Sequence, residues 1–180
     1  MQVTGPDIVN LTRIKMRKEQ FEEFLSANEK RIYHYLLTLL GNDSDASDVV
    51  QMVFISFYEH IDRIEEPTAL SYVYRIAYNK SMTFLKQKSR YVPLEPQSFD
   101  HLPDLSKAEP EVDYSGLHEA IRELPPRLAS VIQLQYFEKL CYKDISEQLG
   151  ISVKAVESLL VRAKKQLRKK LLKVTAEKEV

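Results

Sequence analysis

The 180-residue sequence has one cysteine (Cys141), no tryptophan and only four glycines. A single thiol excludes an intramolecular disulfide framework and suits a reducing cytosol. No apolar run approaches the roughly 20 residues that cross a bilayer; Leu36–Leu40 is short and bounded by Gly41. No signal peptide is recognisable, so the chain reads as cytoplasmic, without membrane insertion. The sequence also lacks a phosphate-cradling glycine loop and a His-Glu-x-x-His motif. Its histidines, His34, His60, His101 and His118, are scattered rather than clustered. No catalytic residue, metal or cofactor is therefore expected. Cys141 has no histidine near it in sequence and is expected to pack rather than react.

Lysine and arginine total 26, aspartate and glutamate 26, for a net charge of zero. That average hides an asymmetry. Residues 1–90 hold 12 basic and 12 acidic side chains, 91–115 hold 1 and 6, and 116–180 hold 13 and 8. A basic C-terminal segment beside an acidic one points to a polyanionic partner for the former.

The most patterned stretch runs from Tyr142 to Leu172. Ile145 and Leu149, four apart, share one face of a short helix. Gly150 follows where a helix end favours a left-handed residue. Ser152 is then a suitable N-cap, its hydroxyl facing the open amides of Val153 to Ala155. Val156, Leu159, Leu160, Ala163, Leu167 and Leu171 recur at a helical period, with Lys154, Arg162, Lys164, Lys165, Arg168, Lys169, Lys170 and Lys173 on the other side. Ser146 is small where two helices must cross closely. Small residue, glycine turn, cap and register together describe a helix-turn-helix whose second helix enters a DNA groove. An ordinary helical hairpin with a solvated basic face is the alternative.

The first half is helical too. Residues from Pro6 to about Lys15 form a short segment of weak pattern. A helix is expected over Lys18–Leu40, with a break near Ser26–Asn28 and a stop at Gly41-Asn42-Asp43. Asp43 or Ser44 caps the next helix, Asp45–Ile61, whose core face is Ala46, Val49, Val50, Val53, Phe54, Phe57, Tyr58 and Ile61. Asp48, Gln51, Met52 and Ile55 lie on its other face. They form either a protein-docking surface or a polar face with two incidental apolar residues, and pattern alone leaves these readings even. Pro67 begins a long helix to about Lys88. Its core side is Leu70, Val73, Tyr74, Ala77, Tyr78, Ser81, Phe84 and Leu85. Its outer side includes Tyr72, Arg75, Asn79 and Lys80. Such mixed aromatics and cations suit single-stranded nucleic acid, although tyrosines packed in or beside the core are the more ordinary account.

Residues 89–114 change character. Pro93, Pro96, Pro103 and Pro110 break regular structure, and six acids offer no apolar stripe. This is a tether. Ser115–Glu123 forms a short helix, Pro125-Pro126 interrupts it, and Leu128 to Tyr136 continue as a helix packed beneath the helix-turn-helix. The expected fold is all-α: two small helical domains joined by a Pro-rich acidic linker, the second a four-helix domain containing the helix-turn-helix. The boundaries are 1–90, 91–114 and 115–180.

Two stretches then fit one family. DASDVVQMVF, Asp45–Phe54, resembles the acidic helix of bacterial sigma factor region 2, and YVYRIAYN, Tyr72–Asn79, resembles that region's later W-L-Y-R-I-A-R-N stretch. Leu124–Leu172 resembles region 4, with its L-P-x-R, Y-x-x-I-A-x-x-L-G-I-S and V-x-S-x-L-x-R-A signatures. The order, the tether and the length are similar to the extracytoplasmic-function class. The resemblance implies that Asp48, Gln51, Met52 and Ile55 bind core RNA polymerase. Tyr72, Arg75, Asn79 and Lys80 would contact the minus-ten promoter element, duplex and melted non-template strand. Ser152, Val153, Lys154, Ala155, Glu157, Ser158, Arg162 and Lys165 would contact the minus-thirty-five element. It also implies an anti-sigma factor as a partner. The family's tryptophan is Tyr72 here, its preceding phenylalanine Ala69, and its second arginine Tyr78. Leu159 and Glu157 replace common basic residues, so base preference at minus thirty-five does not carry over from relatives.

The rival reading is a helix-turn-helix regulator that works without polymerase; its C-terminal half would look the same, but its first half would hold a ligand, phosphoacceptor or dimer domain. The double substitution Asp48→Arg, Gln51→Ala is expected to abolish co-purification with core RNA polymerase. Unchanged co-purification would remove the docking role from this face.

Overall fold

The computed structural model describes residues 16–91 and 115–178. The weakly patterned segment from Pro6 to about Lys15 and most of the tether lie outside the described residues. Seven α-helices are present among those described: α1 (Phe21–Leu40), α2 (Asp43–Glu59), α3 (Ala69–Tyr91), α4 (Ser115–Arg122), α5 (Pro126–Ile132), α6 (Tyr142–Leu149) and α7 (Val153–Lys178). Helices α1 to α3 pack on one another, as do α4 to α7, and α1 also contacts α5 while α3 contacts α6. The all-α, two-bundle expectation holds.

Helix α1 runs without the interruption expected near Ser26–Asn28. The Asn28 amide donates to the Phe24 carbonyl at 2.8 Å, so its side chain bonds back along the helix instead of competing for a turn. Gly41, at φ 69°, ends α1 in a left-handed cap, its N–H donating to the Leu37 carbonyl at 2.9 Å. Asn42 caps α2, rather than Asp43 or Ser44, its side-chain oxygen accepting from the Asp45 N–H at 3.0 Å. Asp43 is thereby free to accept the Tyr33 hydroxyl. Partial burial, and then that carboxylate, push the Tyr33 phenol up to about 12.

Helix α2 buries Ala46, Val49, Val50, Val53, Phe54 and Phe57. Tyr58, expected in the core, is exposed instead: Phe57 fills the interior, and Tyr58 stands edge-on to Phe21 at 4.9 Å with the Lys18 ammonium over its ring. Ile61 is buried, but in the 3-10 turn after α2. Pro67 lies in a second 3-10 turn that leads into α3. Helix α3 buries Val73, Tyr74, Ala77, Tyr78 and Ser81, and Lys88 ties it to Asp45 of α2 at 2.6 Å.

Helix α5 does not continue straight to Tyr136. It widens into a π turn over Gln133–Phe137, closed by the Glu138 N–H donating to the Gln133 carbonyl at 3.1 Å. The extra residue rotates the chain, so Tyr136 is exposed rather than packed beneath the helix-turn-helix. Cys141 also differs from expectation. It is exposed and stands at the N-cap of α6, its N–H donating to the Asp144 carboxylate at 3.3 Å.

Phe57 is fully buried, with the rings of Phe24 and Phe21 stacked 4.9 and 6.2 Å from its own. Phe57→Ala is expected to destabilise the first bundle by about 3–5 kcal/mol, measured as a lowered denaturant midpoint.

Candidate nucleic-acid interface

The geometry of the helix-turn-helix is set at its turn. Gly150 adopts φ 65°, and a Cβ there would meet nothing within 4 Å, so backbone conformation alone demands glycine. The Ile151 N–H donates to the Ser146 carbonyl at 3.1 Å, and the Ser146 hydroxyl donates to the Ile151 carbonyl at 2.6 Å. Ser146 is thus more than a small spacer; it staples the turn. The Ser152 hydroxyl accepts from the Ala155 N–H at 3.2 Å and caps α7. Ile145, Leu149, Val156 and Leu160 are buried and fix α7 across α6.

Opposite that buried stripe, Ser152, Val153, Lys154, Glu157, Ser158, Arg162 and Lys165 are all exposed, and Ala155 is half-buried. Lys154, Ser158 and Lys165 follow a helical period along one face, with Glu157 and Arg162 at its flanks. Val161 lies near the middle of this face and is 67% exposed. It was missed from the sequence because an isolated valine in a basic run has no periodic partner; its place opposite Val156 and Leu160 was the available signal. Leu159 is half-buried and lines a cleft with Met82 and Leu85 of α3, which accounts for an apolar residue at that position. Lys164 lies over the exposed Tyr136 ring, 5.5 Å from its centre, and Tyr136 holds its ammonium above the ordinary lysine range.

The outer face of α2 is also exposed. Met52 and Ile55 are 49% and 60% accessible, with Asp48 and Gln51 exposed beside them. On α3, Arg75 and Asn79 are exposed, whereas Tyr72 and Lys80 are half-buried. The Tyr72 ring lies 6.5 Å from that of Phe57 and borders a concavity of about 440 Å³ shared with His60, Arg63, Ile64, Glu65 and Thr68. His60, Arg63 and Thr68 had no helical pattern to single them out, because His60 caps the end of α2 and the other two lie in the 3-10 turns that follow. Among the described residues no group of His, Cys, Asp or Glu could hold a metal ion, and no helix is long and apolar enough to cross a membrane.

The sequence matches the family description "Sigma-70 region 2" over residues 24–91 and "Sigma-70, region 4" over 115–167. It is 30% identical over 168 residues to the ECF RNA polymerase sigma-E factor of Haemophilus influenzae, covering 86% of this chain and 88% of that protein. It is 28% identical over 165 residues to the RNA polymerase sigma factor SigV of Bacillus subtilis, covering 88% and 98%. The fold is similar to that of the sigma factor RpoE solved in complex with the anti-sigma factor NepR from Bartonella quintana. The TM-score is 0.73 and the identity 18%, over 85% of this chain and 97% of that one.

Gly150→Ala is expected to destabilise the second bundle by about 1–2 kcal/mol, the cost of a Cβ in left-handed backbone. Thermal unfolding of the variant checks this, with duplex-DNA affinity at a temperature where it is folded as the control.

Proposed function

The chain belongs to the extracytoplasmic-function sigma factors, and we propose that it docks on core RNA polymerase through α2, contacts and helps melt the minus-ten element along α3, and holds the minus-thirty-five element with α7. The presence of both regions in order on one chain supports this over the polymerase-independent regulator, which has no use for region 2.

Each surface has suitable chemistry. Met52 and Ile55 form an apolar centre rimmed by Asp48 and Gln51, the composition of a protein interface core with a polar edge. The family's partner there is a coiled coil of the largest polymerase subunit. Tyr72, Arg75, Asn79 and Lys80 combine a stacking ring with hydrogen-bond donors and charge. The concavity beside Tyr72 offers room for a base drawn from the stack. Unstacking costs a few kcal/mol per base, and aromatic stacking returns about 1–3 kcal/mol. On α7, Lys154, Glu157 and Ser158 are placed to read base edges; Glu157 suits a cytosine amino group, and Val161 a thymine methyl. Arg162 and Lys165 grip phosphate, while Ser152, Val153 and Ala155 bring the helix N-terminus to the backbone. The chain supplies recognition and melting, and polymerase supplies the chemistry. We place it in the cytoplasm, with an anti-sigma factor as a further partner, on the analogy of the solved RpoE–NepR complex.

Run-off transcription with core polymerase and a genomic promoter library tests the reading; defined start sites that depend on the chain are expected, and none would refute it. Tyr72→Ala with Arg75→Ala is expected to cut open-complex formation about tenfold on duplex promoters, in line with loss of one stacked base, and far less on templates with a pre-melted minus-ten segment.

A further inference from the structure

Glu157 is the one acidic side chain of α7 between Ser152 and Lys173, and it does none of the work that a helix glutamate ordinarily does. It is exposed, and among the described residues its carboxylate has neither an ion pair nor a hydrogen bond, although Lys154 stands three residues before it. It belongs to no capping box, because Ala155 holds the third helical position and the Ser152 hydroxyl caps alone. It also stands beyond the first turn, outside the reach of the positive helix end. Val161 follows one turn later on the same side and is 67% exposed. From Val153 to Val161 one lysine and one glutamate cancel, so this half of the helix is neutral. From Arg162 to Lys170 there are six cations and no acid. Two of these are engaged within the protein, Lys164 over the Tyr136 ring and Lys170 with Glu123.

We propose that Glu157 selects the minus-thirty-five sequence by repulsion, seating α7 in the groove over a C·G pair and penalising the rest, with Val161 selecting a T·A pair about two steps away; this deepens, and rests on, the sigma-factor reading of α7. A carboxylate only accepts hydrogen bonds. In the major groove guanine presents N7 and O6, and thymine O4, all of them acceptors that repel it. Adenine presents an amino donor but sets its N7 acceptor beside it. Cytosine alone presents an amino group with no acceptor on the same base. The phosphates along both walls of the groove repel the carboxylate too. Glu157 therefore weakens binding to every duplex and recovers the loss only where cytosine donates. A cation at this position would act in the opposite sense, adding affinity on all sequences alike. The cations from Arg162 onward offset the general repulsion, so the helix keeps its hold on phosphate while its first half discriminates. Val161 lies about 6 Å further along the axis at about 1.5 Å per residue, close to two base steps of about 3.4 Å. Its side chain has no donor or acceptor, and the thymine methyl is the apolar group that the groove offers it.

The test uses the full chain on core polymerase and a promoter from the genomic library whose base pairs around minus thirty-five are randomised. Sequencing the transcribed templates gives the preference at each position. Wild type is expected to enrich cytosine about tenfold at one position, the discrimination of one good base contact, and thymine about two positions away. Glu157→Gln, whose amide matches adenine N6 and N7, is expected to lose the cytosine preference, with adenine rising in its place. The same variant is expected to bind duplex of unrelated sequence several-fold more tightly at low salt, since a repelling charge is gone. Val161→Ser is expected to reduce the thymine preference and leave the cytosine preference in place. A glutamate that only faces solvent would leave cytosine unselected, and one needed for folding would weaken binding to all duplexes when replaced. Either result, or a cytosine preference that survives Glu157→Gln, overturns the role of Glu157; a thymine preference unmoved by Val161→Ser overturns that of Val161. If wild type transcribes from no template, the sigma-factor reading fails. If it transcribes without selecting cytosine, that reading stands and the role of Glu157 alone fails.

Discussion

Helix α1 has to fit two sets of neighbours at once. It packs on α2 and α3 within the first bundle, and it also contacts α5 of the second. Ile32, Leu36, Leu39 and Leu40 give it a buried apolar side, while Arg31, Tyr35 and Thr38 give it a polar side with specific partners. Cores packed to crystal density transmit displacement rather than absorb it. The position of α1 therefore governs both where α2 and α3 present their outer faces and how the second bundle lies against the first. The two kinds of contact differ in chemistry: the apolar side packs within the first bundle, and the polar side meets α5 and the turn after it.

The helix ends do comparable work. Asn42 caps α2 and frees Asp43 for Tyr33; Gly150 and Ser146 set the angle between α6 and α7; Ser152 closes the first turn of α7. In each case a polar backbone group that water would otherwise satisfy is given a fixed partner. The π turn after α5 belongs with these. It ends the helix with one residue too many for α geometry and thereby exchanges Phe137 for Glu138 at the seam between bundles.

The surfaces proposed for recognition differ in charge density. Glu157, Ser158 and Val161 dilute the N-terminal half of α7, whereas Arg162 to Lys170 concentrate positive charge beyond it. Sequence-dependent contacts need varied side chains at base edges, and sequence-independent affinity needs cations along phosphates. The α2 face proposed for docking contrasts with both, being apolar at its centre and acidic at its rim.

Much of this was legible in the chain. Period-3.6 burial in α2, α3 and α7, and the turn chemistry at Gly41 and Gly150, follow from rules that act within a few residues, and the structure agrees with them. Where the sequence misled, the deciding contact was distant. Tyr58 left the core because Phe21 and Lys18 meet it from another element; Tyr136 and Cys141 were moved by a π turn and a helix cap that leave no mark in hydropathy. The concavity beside Tyr72, which gathers His60 from the end of α2 and Arg63 and Thr68 from two 3-10 turns, had no period to reveal it. Periodicity states which side of a helix is apolar but not which neighbour will cover it. By itself, then, the sequence determined the helices, their buried faces and the helix-turn-helix. Only the tertiary structure decided that Tyr35 meets Ser130 and Arg31 meets Glu138, because pairing across nearly a hundred residues depends on how whole helices pack.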